Sequence, residues 1–189
     1  MVSSILDNLA DMIVKSEKNT VKDKEIIVYG LKSAITQGLS IITTAVLGCI
    51  FGLFWESIVF LFSFSAIRMY AGGYHCQKAI HCYIMSSGIM VLVLTVVKIT
   101  PTWYMLPISI FILLVSIPII LKLAPVGAKN KPLDEVEKQH YRKITIRNLV
   151  IECCIISILL IAGLNNFAFV MSLGIMVTAG VVILQKKLK

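Results

Sequence analysis

From Lys32 to Arg68 the chain carries a single charged residue, Glu56. One straight helix over that stretch, rising about 1.5 Å per residue, would far overshoot a hydrocarbon core about 30 Å thick. Two antiparallel spans are required, with the turn between them over Gly48 to Gly52, and Glu56 then falls near an interface rather than at the bilayer centre, where a charge costs about 2.5–3.5 kcal/mol. Composition agrees with this reading: 58% of the 189 residues are hydrophobic and 15% are charged, with a mean hydropathy of +0.89. A water-soluble domain of this size cannot hide so much apolar surface.

The same reasoning along the rest of the chain predicts an all-α, polytopic membrane protein. It forms one integral membrane domain over residues 1–189 with six transmembrane helices, at about 26–47, 51–70, 79–97, 99–121, 148–163 and 167–184. Pro101, Pro107 and Pro118 predict breaks or kinks in the fourth span, and Gly163-Leu164-Asn165-Asn166 is the turn between the last two. Ahead of the spans, Ile5, Leu6, Leu9, Met12 and Ile13 recur at helical spacing among polar residues. Residues 3–17 are therefore expected to form an amphipathic helix on the membrane surface. The first residues lack a basic stretch leading into a continuous apolar one, so no cleavable signal peptide is expected. Residues 122–147 are the one long polar stretch and read as a basic loop.

The charges decide orientation. The chain has 18 Lys and Arg against 10 Asp and Glu, a net charge of +8. With six spans, all basic residues except Lys98 fall on one side, together with both termini. The positive-inside rule makes that side cytoplasmic. Charges that bracket apolar runs in this way serve topology and an association with the lipid bilayer, and no nucleic acid partner is expected.

Soft, titratable side chains gather between the second and third spans, where Arg68-Met-Tyr-Ala-Gly72-Gly73-Tyr-His75-Cys76 leads through Lys78 to His81-Cys82-Tyr83. Five cysteines in or beside apolar segments do not make a disulfide framework. The absence of a Cys-x-x-Cys or a second carboxylate argues against a metal, and no cofactor is expected. A cysteine thiolate paired with histidine is a competent nucleophile. Spacing alone leaves two pairings open, His75 with Cys82 and His81 with Cys76, and the first needs a bend such as Gly72-Gly73 provides. Glu152, near the start of the fifth span, is a candidate partner for Arg142 or Arg147, or for a histidine as an orienting third group.

The array Arg68-x-x-x-Gly72-Gly73-Tyr74-His75, followed by Cys82 seven residues after the histidine, resembles the AgrB family of accessory gene regulator membrane endopeptidases. So do the chain length, the six spans and the basic stretch Ala124-Pro125 through Lys129-Asn130-Lys131-Pro132. The resemblance implies a membrane-embedded cysteine endopeptidase in a bacterial cell membrane, acting on the C-terminal part of an AgrD-like propeptide. Cleavage would pass through a Cys82 thioester and support cyclisation to a thiolactone or lactone. It implies His75 and Cys82 as catalytic residues, with Arg68, Gly72, Gly73, Lys129 and Lys131 supporting catalysis or holding substrate, and it is compatible with a homodimer. The alternative from another class is a small membrane peptide transporter or exporter without proteolytic activity. Mid-membrane polar groups in several spans or an internal repeat would mark one.

Overall fold

The computed structural model describes residues 21–72, 79–127 and 134–187. Among them are six helices: α1 (Val21–Phe51), α2 (Phe54–Ala71), α3 (Ala79–Ile99), α4 (Thr102–Leu123), α5 (Glu135–Ile161) and α6 (Asn165–Lys187). The fold is all-helical, and its apolar helices make it a multi-pass membrane protein. Five of the helices are long and apolar enough to cross a membrane. The exception is α2. It is 18 residues long and holds both Glu56 and Arg68, so its six-span assignment rests on its place in the bundle, between α1 and α6. The amphipathic helix expected over residues 3–17 lies outside the described residues.

The last helix is the centre of the bundle. In α6, 67% of the span is buried, against 11% for Ala34–Phe51 of α1, and α6 packs on α2, α3, α4 and α5 while α1 packs mainly on α2 and α3. Small residues allow this. A Cβ on Gly174 would lie 2.8 Å from Ser63 Oγ and 3.3 Å from the Phe64 backbone nitrogen, so only glycine lets α2 approach α6 this closely. Ser172 and Thr178, both buried, donate to carbonyls one turn back, Ala168 and Gly174, which satisfies their hydroxyls within the helix. The opposite surface of α1 presents Ile35, Leu39, Ile42, Val46 and Ile50, spaced three and four apart and exposed, as suits a face toward lipid.

The two ends of the bundle are built differently. One is closed by short turns: Leu53 N donates to Gly48 O at 2.8 Å, Pro101 precedes α4, and Gly163, with φ of 76°, precedes α6. Lys98 Nζ reaches Phe51 O at 3.2 Å and ties the first of these turns to the end of α3. Pro107 and Pro118 lie within α4, which continues as one α-helix through both.

At the other end, which collects the basic residues, α5 starts earlier than the polar composition of residues 122–147 implied. Asp134 accepts from Glu135 N at 2.8 Å and Glu137 Oε2 accepts from Asp134 N at 3.4 Å, a reciprocal cap that starts the helix inside the expected loop. Residues 135–147 are thus the first turns of a helix of 27 residues, about 40 Å long, whose later part is apolar. The stretch expected as a loop is therefore helical at both its ends, through Lys122 and Leu123 of α4 and from Glu135 onward in α5.

Candidate active site

Two of the sequence-predicted residues are held by the inner structure of the basic end. Arg68 and Gly72 lie one turn apart at the close of α2, where Gly72 N donates to Arg68 O at 3.2 Å. Gly72 ends the helix because its backbone, at φ 74° and ψ −162°, is in a region open only to glycine. There it forms an isolated parallel bridge with Val126, and Val126 N donates to Ala71 O at 3.0 Å. A Cβ on Gly72 would collide with the Val126 carbonyl oxygen and sit 3.1 Å from its carbon. The residue is therefore required twice, for its conformation and for the close approach of a second backbone.

That second backbone is the start of the basic stretch. Ala124, Pro125, Val126 and Gly127 are buried across the ends of α2 and α6, and Gln185 Nε2 of α6 reaches Gly127 O at 3.4 Å. Apolar contacts secure the strap from beneath, since Ile67, Ala71, Ile120, Ala124, Val126 and Val182 belong to one buried cluster. From the other side, Asn148 Nδ2 donates to Ala66 O at 2.8 Å and the rings of Tyr70 and Tyr141 lie 6.2 Å apart, which dock α5 against the last turn of α2. The half-buried Arg68 guanidinium stands 5.1 Å over the ring of Phe64, a cation–π contact that steadies it.

Cys82 lies in the first described turn of α3 and is half-buried. Its neighbour Tyr83 shares a hydrogen bond of 2.6 Å with Thr43 of α1, which fixes the start of α3 against the first helix. His81 is exposed. Gly73, His75, Cys76, Lys129 and Lys131 lie outside the described residues. What the structure brings together is the pair of departure points: the chain leaves Gly72 toward His75, and leaves Val126 toward Lys129 and Lys131, from two residues that are paired to each other.

Among the described residues Glu152 is paired with Ser63 and with neither Arg142 nor Arg147, while His75, the histidine for which it is a candidate orienting group, lies outside them. Its Oε2 accepts from Ser63 Oγ at 2.7 Å, while Oε1 is buried with no hydrogen-bond partner among the described residues, so the carboxylate joins α5 to α2 inside the bundle. Ser63 also stands 3.3 Å from Met171 O, making a three-helix polar contact. Sequence reasoning missed Val126, Asn148, Thr43 and Tyr83. Asn148 carried a signal, as an amide at the entry to an apolar run. Val126 carried none, because an isolated backbone bridge has no side-chain signature.

Comparison with known proteins gives a consistent answer. The family model for accessory gene regulator B matches residues 6–184. An AgrB-like protein 2 of Clostridium perfringens strain 13 is 32% identical over 159 residues, covering 78% of this chain and 73% of its own length. An AgrB-like protein of C. perfringens strain SM101 is 32% identical over 157 residues with the same coverage. No solved structure matches.

Proposed function

The chain belongs to the accessory gene regulator B family, which supports a role in quorum-sensing propeptide processing, and from that premise we propose that it is a membrane cysteine endopeptidase with Cys82 as nucleophile and His75 as its base. The observation that carries the reading is the Gly72–Val126 bridge. It starts the segment bearing His75 and the segment bearing Lys129 and Lys131 from one place. Three peptide links separate His75 from Gly72, a reach of at most about 11 Å, and four separate it from Ala79 at the head of the helix that carries Cys82.

In the reaction, His75 takes the thiol proton as Cys82 sulfur attacks a backbone carbonyl in the C-terminal half of an AgrD-like propeptide. The tetrahedral intermediate collapses with loss of the C-terminal peptide, whose new amine receives the proton from His75, and a thioester to Cys82 remains. An internal thiol or hydroxyl of the bound peptide then attacks that thioester, closing the ring and returning the thiol of Cys82. Exchange of one thioester for another is nearly neutral in energy, so productive cyclisation needs a site shielded from water, as a bilayer surface provides. Because the Gly72 N–H is taken up by Arg68 O, the oxyanion is assigned to the backbone amide of Gly73, and acidic groups of the peptide to Arg68, Lys129 and Lys131. Both termini are assigned to the cytoplasm.

The test uses the full chain in liposomes with its cognate propeptide. Cys82→Ser and His75→Ala are expected to abolish cleavage, while Cys76→Ser and His81→Ala retain most of it. Wild-type protein is expected to form a hydroxylamine-sensitive adduct with the N-terminal peptide fragment. An active Cys82→Ser enzyme would overturn the assignment.

A further inference from the structure

On the side of the bundle away from α1, helices α4 and α5 both rest on α6 and touch each other only sparsely. Between them is an open groove of about 580 Å³ lined by Ile117 and Leu121 of α4 and by Ile146, Val150, Cys154 and Ile158 of α5, among others, with almost no polar surface. From Ile146 to Ile158 it follows a helix for about 18 Å, close to the depth of one leaflet of a hydrocarbon core about 30 Å thick. A shape of that length and polarity suits a single acyl chain.

The mouth of the groove is basic. Leu121 adjoins Lys122 in the last turn of α4. On α5, Arg142 and Lys143 lie four and three residues before Ile146 and continue the groove face toward the basic end, while Arg147, three before Val150, flanks the groove beside Ile146. Each of these four cations is exposed. An apolar slot one leaflet deep, opening beneath four cations at the depth of the headgroups, has the chemistry of a phospholipid with a negatively charged head. We propose that this groove is a binding site for an anionic phospholipid, with one acyl chain between α4 and α5 and the phosphate among Lys122, Arg142, Lys143 and Arg147. The site is separate from Cys82 and does not depend on the proposed peptidase reaction.

Native mass spectrometry of the full chain, released from detergent after incubation with phosphatidylglycerol or phosphatidylcholine of equal chain length, tests the proposal. Wild-type protein is expected to retain phosphatidylglycerol at least fivefold more than phosphatidylcholine. The variant Lys122→Gln/Lys143→Gln/Arg147→Gln should lose that preference, and Val150→Trp, which fills the slot, should lose retention of both lipids. The three cations are exposed, so the charge variant decides the matter even if Val150→Trp fails to fold. Equal retention of the two lipids by wild-type protein, or an undiminished preference in the charge variant, would overturn the site. So would displacement of the lipid by a short polyglutamate peptide whose own binding is unaffected by Val150→Trp, since the cations would then serve a peptide.

Discussion

The two ends of the bundle use the same residue for different purposes. At the turn-closed end, Gly163 has φ of 76° and nothing within 4 Å of where a Cβ would be. At the basic end, Gly72 has φ of 74° and another backbone pressed against it. Both break a helix, but only Gly72 couples its break to a distant part of the chain, through Val126. One end is therefore a set of local hairpins, and the other is a junction of α2, α4, α5 and α6 on which the proposed chemistry depends.

Substitution at the two glycines tests that contrast directly. Gly72→Ala meets both the conformational penalty and the Val126 carbonyl. It is expected to cost about 3 kcal/mol or more and to reduce propeptide cleavage at least tenfold, read by thermal unfolding in detergent and by the liposome assay. Ser63→Ala comes next: it removes the hydrogen bond that the buried Glu152 carboxyl accepts from Ser63, the one it makes among the described residues, for an expected loss of about 1–3 kcal/mol read by thermal unfolding. Gly163→Ala bears only the left-handed penalty of about 1–2 kcal/mol, with cleavage unchanged. Equal loss of activity in Gly72→Ala and Gly163→Ala would remove the distinction between the ends.

The smallest effect sharpens the comparison from the other direction. Lys138 and Glu135 form an ion pair of 3.4 Å at the basic end, with both side chains mostly exposed. Such pairs contribute at most about 0.5 kcal/mol within a helix, so Lys138→Ala should leave unfolding and cleavage near wild type. A large effect there would mean that charge pairing, and not the backbone junction, organises this end.

Much of the architecture was legible in the sequence because a helix in lipid must be apolar for its whole length, and that requirement is written residue by residue. Glu56 alone between Lys32 and Arg68 already demanded two helices, and Gly52 and Gly163 marked turns that the structure contains. The start of α5 is marked by the cap Asp134-x-x-Glu137, a local signal that hydropathy, which sees only a polar stretch there, does not carry. The chemical identity of the candidate site was also local, a matter of Arg68, Gly72, Gly73, His75 and Cys82 at fixed spacing.

Burial order was not legible, for a physical reason: side chains that face lipid and side chains that face other helices are equally apolar, so α1 and α6 look alike as sequences although 11% of one span and 67% of the other are buried. Nor could spacing place Val126 on Gly72, more than fifty residues away, or Glu152 on Ser63. By itself the sequence determined that the chain is a helical membrane protein, where two of its turns fall, at Gly52 and Gly163, and which family it resembles. Tertiary structure alone decided that α6 is the axis, and that the segments leading to His75 and to Lys129 depart from one bridge, because those facts rest on backbone approach between distant segments, which no local pattern encodes.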